Sequence, residues 1–335
     1  MATEIKFNAD GTINFGDYTL TFTDEGFEFD GDILATEYEA TSPQAQGSIS
    51  GYTSGGIEPG TSNSNVVDKF PFAADGNATD VGDLTQGRYW GSGQSSTTSG
   101  YTSGGRVPPI GYVNTIDKFS FAADGNATDV GDLTEARNST AGSSSENFGY
   151  VSGGRSAGPA YNTIDKFSFA ADGNATDVGD LTLSKQMVAG QSSDASGYIS
   201  GGTTPTTSLN VIEKFPFASD ANATDVGDLT LARNGPAGGS SSESGYTSGG
   251  YGGVFTTVID KFPFATDSNA TDVGDLTQGV IYTTGQSSTT SGYRSGGFTP
   301  PHTNTIDKFP FTTDGNATDV GDLTVGRTYS AGQQV

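Results

Sequence analysis

Side-chain oxygens recur through this chain at a spacing that could hold a cation. From Asp75 to Asp83 they fall at positions 1, 3, 5 and 9 (Asp75, Asn77, Thr79, Asp83), as in a calcium loop. The sixth position, where such a loop needs a turn glycine, is Asp80, and no glutamate closes the loop. Asp75-Gly76-Asn77 therefore reads as a tight hairpin turn. Asp80 and Asp83 could serve as the carboxylate pair of a glycosidase. The pair recurs in every copy of a repeat, however, whereas an active site is a single asymmetric constellation. Cysteine is absent and His302 is the only histidine, which excludes thiolate chemistry and a two-histidine metal site within one chain. No Ser-His-Asp grouping is recognisable. The expectation is a non-enzymatic protein without catalytic residues, metal or cofactor. Asn-Ala-Thr occurs six times and matches the glycosylation acceptor pattern, but here it reads as a turn followed by the start of a strand.

The repeat organises everything else. Gly-Tyr-x-Ser-Gly-Gly begins at Gly51, Gly100, Gly149, Gly197, Gly245 and Gly292, at intervals of 49, 49, 48, 48 and 47 residues, with Val in place of Thr at 151 and the like. A period of this length means one supersecondary unit per copy, stacked on its neighbours to bury its apolar side. Each copy reads as four strands. The first is an Ala-Gly-Ser-Ser-like phrase, and the second is the Gly-Tyr phrase, whose glycines are expected to let the innermost backbones crowd together. The third is Asn-Thr-Ile-Asp-Lys-Phe-Ser-Phe (114–121), and the fourth is Ala-Thr-Asp-Val-Gly-Asp-Leu-Thr (127–134). No segment has a helical apolar period. The expected fold is an all-β six-bladed propeller spanning 51–335. The chain ends on a first-strand phrase, Ala331 to Val335, and blade 1 lacks one, so the C-terminus is expected to close the ring. Residues 1–42 read as two or three β-hairpins too small to fold alone, and 43–50 as a linker. The repeat lysines (Lys69, Lys118, Lys166, Lys214, Lys261, Lys308) suggest a ring of Lys–Asp pairs between blades.

The copies differ at one end only. In an up-and-down blade, the loop after strand 2 and the link to the next blade share a face. Every variable stretch falls there, whereas the Asp-Gly-Asn and Ser-rich turns fall on the other. The variable face gathers Arg88, Tyr89, Trp90, Arg106, Tyr112, Arg155, Tyr161, Tyr251, Phe255, Tyr282 and His302, the residue types that anchor recognition surfaces. These are the candidate binding residues.

The net charge of −24 comes mainly from four acids and one lysine per copy, and from ten acids against Lys6 in residues 1–42. The remainder, seven arginines and Lys185 against five acids, is basic and is expected on the variable loops. So acidic a body repels phosphate backbones, so nucleic acid is not expected as a partner. No apolar run is long enough to span a membrane as a helix, and the start lacks the apolar stretch of a signal peptide.

The order Arg-x-x-x-Ala-Gly, Tyr-x-x-Gly-Gly, Asp-x-Phe and Leu-Thr-x-x-Arg over residues 47–335 resembles the kelch repeat. The double glycine is Gly55-Gly56 and its five successors. The arginine is Arg88, Arg137, Arg233 and Arg327, with Lys185 and Val280 replacing it once each. Where kelch repeats carry a fourth-strand tryptophan, this chain has Thr79-Asp80-Val81. The wording Asn-Thr-Ile-Asp-Lys-Phe…Asp-Gly-Asn-Ala-Thr-Asp-Val-Gly-Asp-Leu-Thr is similar to repeat-containing virion structural proteins of marine tailed phages. That resemblance implies a tail, baseplate or fibre component in an extracellular particle. Residues 1–42 would then bind other virion proteins in a homo- or hetero-oligomeric assembly, and the propeller would contact a host-surface polysaccharide or protein. The alternative is a bacterial cell-surface or secreted glycan- or protein-binding adhesion module.

Overall fold

The computed structural model describes residues 46–60 and 63–335 and, before them, the backbone of five strands. Two compact units result, Met1–Thr41 and Ser42–Val335. The first contains one five-stranded antiparallel meander, Ile5–Phe7, Thr12–Phe15, Tyr18–Thr23, Gly26–Phe29 and Asp32–Ala35, more regular than the two or three hairpins expected. Its register sets Ile5 opposite Phe15, Ile13 opposite Leu20 and Phe22 opposite Phe27, so apolar positions share one face of the sheet.

The second unit is a six-bladed β-propeller whose blades are four-stranded antiparallel sheets. Blade 2 is representative: Ser92–Ser95, Ser99–Ser103, Thr115–Ser120 and Thr128–Asp132. The ring closes as expected. Ala331–Gln334 supplies the first strand of blade 1, pairing with Ser50–Ser54 in the register Ala331 to Ser54 and Gln334 to Gly51. The last residues of the expected linker, 43–50, are engaged with the ring. Ser50 is already in a strand, Ile49 and Ser50 both donate to the Val335 carbonyl, and Gly47 donates to Ser287. The chain thus enters the ring at the end bearing the Asp-Gly-Asn turns, near the axis, where Gln46 is buried and reaches the Ser240 carbonyl.

Apolar packing lies between blades. Tyr52, Val67 and Leu84 of blade 1 meet Phe119, Phe121 and Ala127 of blade 2, with Val81 against them, and the same set recurs around the ring. Each second-strand tyrosine lies against the second phenylalanine of the following blade, as in Tyr101–Phe169 (4.9 Å) and Tyr293–Phe72 (4.8 Å). Aromatic contacts of this kind contribute about 0.5–1.5 kcal/mol each beyond their buried area.

The crowding at the axis is made by a different glycine from the one expected. A Cβ on first-strand Gly93 would lie 2.0 Å from the Gly332 carbonyl oxygen, and one on Gly142 2.0 Å from that of Gly93. The relation continues through Gly190, Gly238, Gly285 and Gly332. The second-strand glycine instead lies beneath a phenyl ring: a Cβ at Gly100 would meet Phe119 Cζ at 2.4 Å. One glycine permits the tight axis and the other lets the core aromatic cross the sheet.

At the rim, each fourth strand is an open edge carrying two aspartates, such as Asp129 and Asp132. Charge on an exposed edge blocks pairing with another sheet, which gives the acidity of the repeats a structural reason.

Candidate recognition face

The two ends of the ring are bonded by different rules. At the end with the Asp-Gly-Asn turns, each repeat lysine reaches the turn aspartate of the next blade: Lys69–Asp124 (3.0 Å), Lys118–Asp172 (2.9 Å), Lys166–Asp220 (2.8 Å), and on to Lys308–Asp75 (3.0 Å), which closes the circle. The turn asparagine also bonds across, as Asn126 Oδ1 accepts from the Asp83 N–H at 3.1 Å. Of the side-chain oxygens that resembled a calcium loop, those of Asp75 and Asn77 are engaged between blades. Among the described residues no group of three or more His, Cys, Asp or Glu is placed to hold a metal ion.

Below the variable end lies a layer of buried ion pairs. The expectation that the basic remainder sits on the loops is overturned here, and so is the surface placement of Arg88. Arg88 is buried and pairs with Asp117 of the next blade. Asp117 also accepts from the Thr85 N–H (2.9 Å) and Thr85 Oγ1 (2.7 Å). The Leu-Thr-x-x-Arg phrase of one blade therefore grips the Asp-Lys-Phe phrase of the next. Arg137–Asp165, Arg233–Asp260 and Arg327–Asp68 repeat the arrangement.

Two junctions keep the charge pair with different residues. At the third, the shorter-reaching Lys185 meets the longer Glu213. At the fifth, Val280 replaces the arginine, and Arg294 from the second strand of the following blade brings its guanidinium to Asp307. Burial holds Arg137, Arg233, Arg294 and Lys185 below their usual pKa values, opposed by their carboxylate partners. Six of the eight non-repeat basic residues are thereby internal. Arg106 and Arg155 remain, against Glu58 and Glu135, so the variable loops and links carry no net charge beyond the internal pairs.

Above that layer the links form a collar around the axis. The second residue after each basic position is Trp90, Ser139, Met187, Gly235, Tyr282 or Tyr329. Their backbones make a closed ring of hydrogen bonds. Trp90 N–H donates to the Tyr329 carbonyl (2.8 Å), Ser139 to Trp90 (2.8 Å), Met187 to Ser139 (2.9 Å), Gly235 to Met187 (2.8 Å), Tyr282 to Gly235 (2.8 Å) and Tyr329 to Tyr282 (2.9 Å). All six have φ between 55° and 63°, and the five that are not glycine are the only such non-glycine residues among those described. In that region a Cβ approaches the following carbonyl oxygen, at a cost of about 1–2 kcal/mol per residue.

Side chains make the collar lopsided. Tyr282 and Tyr329 lie 4.3 Å apart by ring centroid, Trp90 and Tyr329 4.5 Å, and Tyr89 and Trp90 5.0 Å. Burial, with Tyr282 and Tyr89 alongside, pushes the Tyr329 hydroxyl pKa up. The opposite half carries Ser139, Met187 and Gly235. Between them lies a cavity of about 70 Å³.

The other candidates fall into separate places. Tyr251 and Phe255 are partly exposed, their rings 5.5 Å apart, and continue through Phe298 (6.3 Å) to His302 (5.6 Å) across blades 5 and 6. Arg106 lies over the Tyr112 ring in blade 2. Arg155 is half-buried in the blade 3 loop, where the Tyr161 hydroxyl contacts Ser156 Oγ at 3.1 Å. Of the eleven sequence candidates, the axis thus brings together Tyr89, Trp90 and Tyr282. Tyr329, Met187 and Phe298 were missed. The signal for the first two was positional: they occupy the same link position as Trp90 and Tyr282. No protein-family model and no curated protein matches the chain.

Proposed function

We propose that the chain is a non-enzymatic recognition module that binds through its variable face, as a kelch-like component of a phage tail, baseplate or fibre. The observation that carries the reading is the contrast between the ends of one ring. Six copies repeat the same bonds at one end, while at the other they differ in the residues that meet solvent. Loops on a closed rigid body vary at little cost to stability, and Tyr, Trp and Arg are residues that anchor interfaces. The similarity of the repeat wording to marine phage virion proteins supports the particle setting. In this reading residues 1–42 attach to other virion proteins. The chain enters the propeller at the constant end, away from the variable loops.

Mass spectrometry of purified particles tests the setting: the protein is expected in virions, and its recovery only from cell envelopes or culture supernatant favours a bacterial adhesion module instead. Two variants test the division of labour. A chain lacking residues 1–42 should fold and fail to incorporate. A full-length chain with Tyr89, Trp90 and Tyr112 changed to Ala should incorporate and lose attachment to cells. The opposite pattern makes the variable face the docking surface.

A further inference from the structure

The collar is costlier than its architecture requires. Gly235 closes the same hydrogen-bonded ring with φ 63° and no Cβ, so glycine would satisfy the backbone at all six positions without strain. Five copies keep a side chain there, and three of the five are large aromatics gathered on one half of the mouth. Two residues that line the cavity, Trp90 and Ser330, each carry a buried polar atom, Nε1 and Oγ, with no hydrogen-bond partner among the described residues, and Ser330 is only 8% exposed. No charged residue lines the cavity. Hydrogen-bonding groups left without partners in a buried place call for a polar ligand group. Half-buried aromatic rings call for a flat, weakly polar one, and the absence of charge disfavours an ion.

We propose that the axial mouth of the variable face is a binding site for an uncharged saccharide unit of a surface glycan. A sugar ring lies against Trp90, Tyr282 and Tyr329, and one hydroxyl-bearing substituent enters the cavity that Trp90 and Ser330 line, where a turn of the Ser330 hydroxyl meets it. The cavity is too small for a whole sugar, and its size suits a few waters or one such substituent. This rests on the reading that the variable face recognises, and it narrows the ligand. With Arg88 and its equivalents internal and no charged residue among those lining the cavity, an anionic polysaccharide has little to pair with at the mouth.

The molecule carries its own probe, because Trp90 is its only tryptophan. Full-length protein is titrated with dextran, mannan and galactan, with alginate as an anionic control, while Trp90 emission is followed. At least one neutral polymer should change the emission saturably and alginate should not. Tyr329→Gly should weaken that response at least about tenfold. Because it removes left-handed strain, its melting temperature should hold or rise by about 2 °C. A fall of more than about 5 °C would mean that the rings are a packing plug, which overturns the proposal. Ser330→Val decides independently of folding, since it removes an unpartnered hydroxyl: unchanged affinity overturns the proposal and weakened affinity supports it. If none of the three neutral polymers alters Trp90 emission while the protein still attaches to host cells, the saccharide site falls and the recognition role stands. If the protein also fails to attach to cells, both fall.

Discussion

At the constant end of the propeller, Lys69, Lys118 and their four equivalents make the same bond to the same turn aspartate. One layer inward, six junctions reach the same electrostatic result by three routes: arginine to aspartate, Lys185 to Glu213, and Arg294 standing in for Val280. At the variable end, the collar keeps its backbone ring while its side chains run from glycine to tryptophan. The three levels rank by what a change would cost. The surface pairs are exposed and cheap to lose. The buried pairs cannot lose one member, because an uncompensated buried charge is strongly destabilising, so they change only in compensating sets. The collar side chains are free of both constraints.

Removal of residues 328–335 should break the comparison outright. Blade 1 loses its first strand, with the Gln333 bonds to Ser54 and to the Tyr101 carbonyl and the collar bonds of Tyr329. Differential scanning calorimetry should show the cooperative transition lost or sharply lowered. An unchanged melting temperature would mean that the ends do not hold the ring.

Alkaline pH should act next most strongly. Burial raises the pKa of Tyr52, Tyr101, Tyr150, Tyr198, Tyr246 and Tyr293. Lys69, Lys214 and Lys261 are also raised, burial opposing and the aspartate hydrogen bond prevailing together with the neighbouring tyrosine. Lys118 and Lys308 are raised chiefly by that hydrogen bond. In every case the folded state keeps protons that the unfolded chain releases above pH ~10, so stability falls as pH rises through that range. The slope is about 1.4 kcal/mol per pH unit for each proton of difference. Lys185, Arg137, Arg233 and Arg294, lowered by burial, act with the opposite sign but are four groups against eleven. Urea titrations between pH 8 and 11 should show a steep alkaline limb, and a flat profile would contradict this account.

Arg137→Met should cost about 3–5 kcal/mol by leaving Asp165 charged and buried, with Arg137→Met plus Asp165→Leu recovering much of it. The third junction sharpens the point. Lys185→Arg and Glu213→Asp should each destabilise alone and be close to neutral together, restoring the common pair. Chemical denaturation reads both, and strict additivity would refute compensation. The smallest effect belongs to the constant end, where Lys69→Ala should cost about 0–1 kcal/mol and even less in high salt.

Much of the architecture could be read from sequence because it is periodic. Six copies at a near-constant interval, each with turn signals at fixed offsets, leave few alternatives to stacked blades. The unmatched first-strand phrase at Ala331 located the closure by parity alone. The Lys–Asp ring could be read for the same reason, since both members recur in every copy.

The chain's own order determined the number of blades, the closing strand and which end is free to vary, because each follows from repetition along the sequence. Only the tertiary structure decided what lies inside. Arg88 and Asp117 are 29 residues apart and belong to different blades, so no local pattern reveals that one neutralises the other. A repeat arginine beside Tyr89 and Trp90 in a variable link has the composition of a recognition loop and the environment of a core. Likewise Trp90, Tyr282 and Tyr329 became neighbours only when the ring closed. Their shared left-handed backbone is imposed by six hydrogen bonds that exist around an axis and not along a chain.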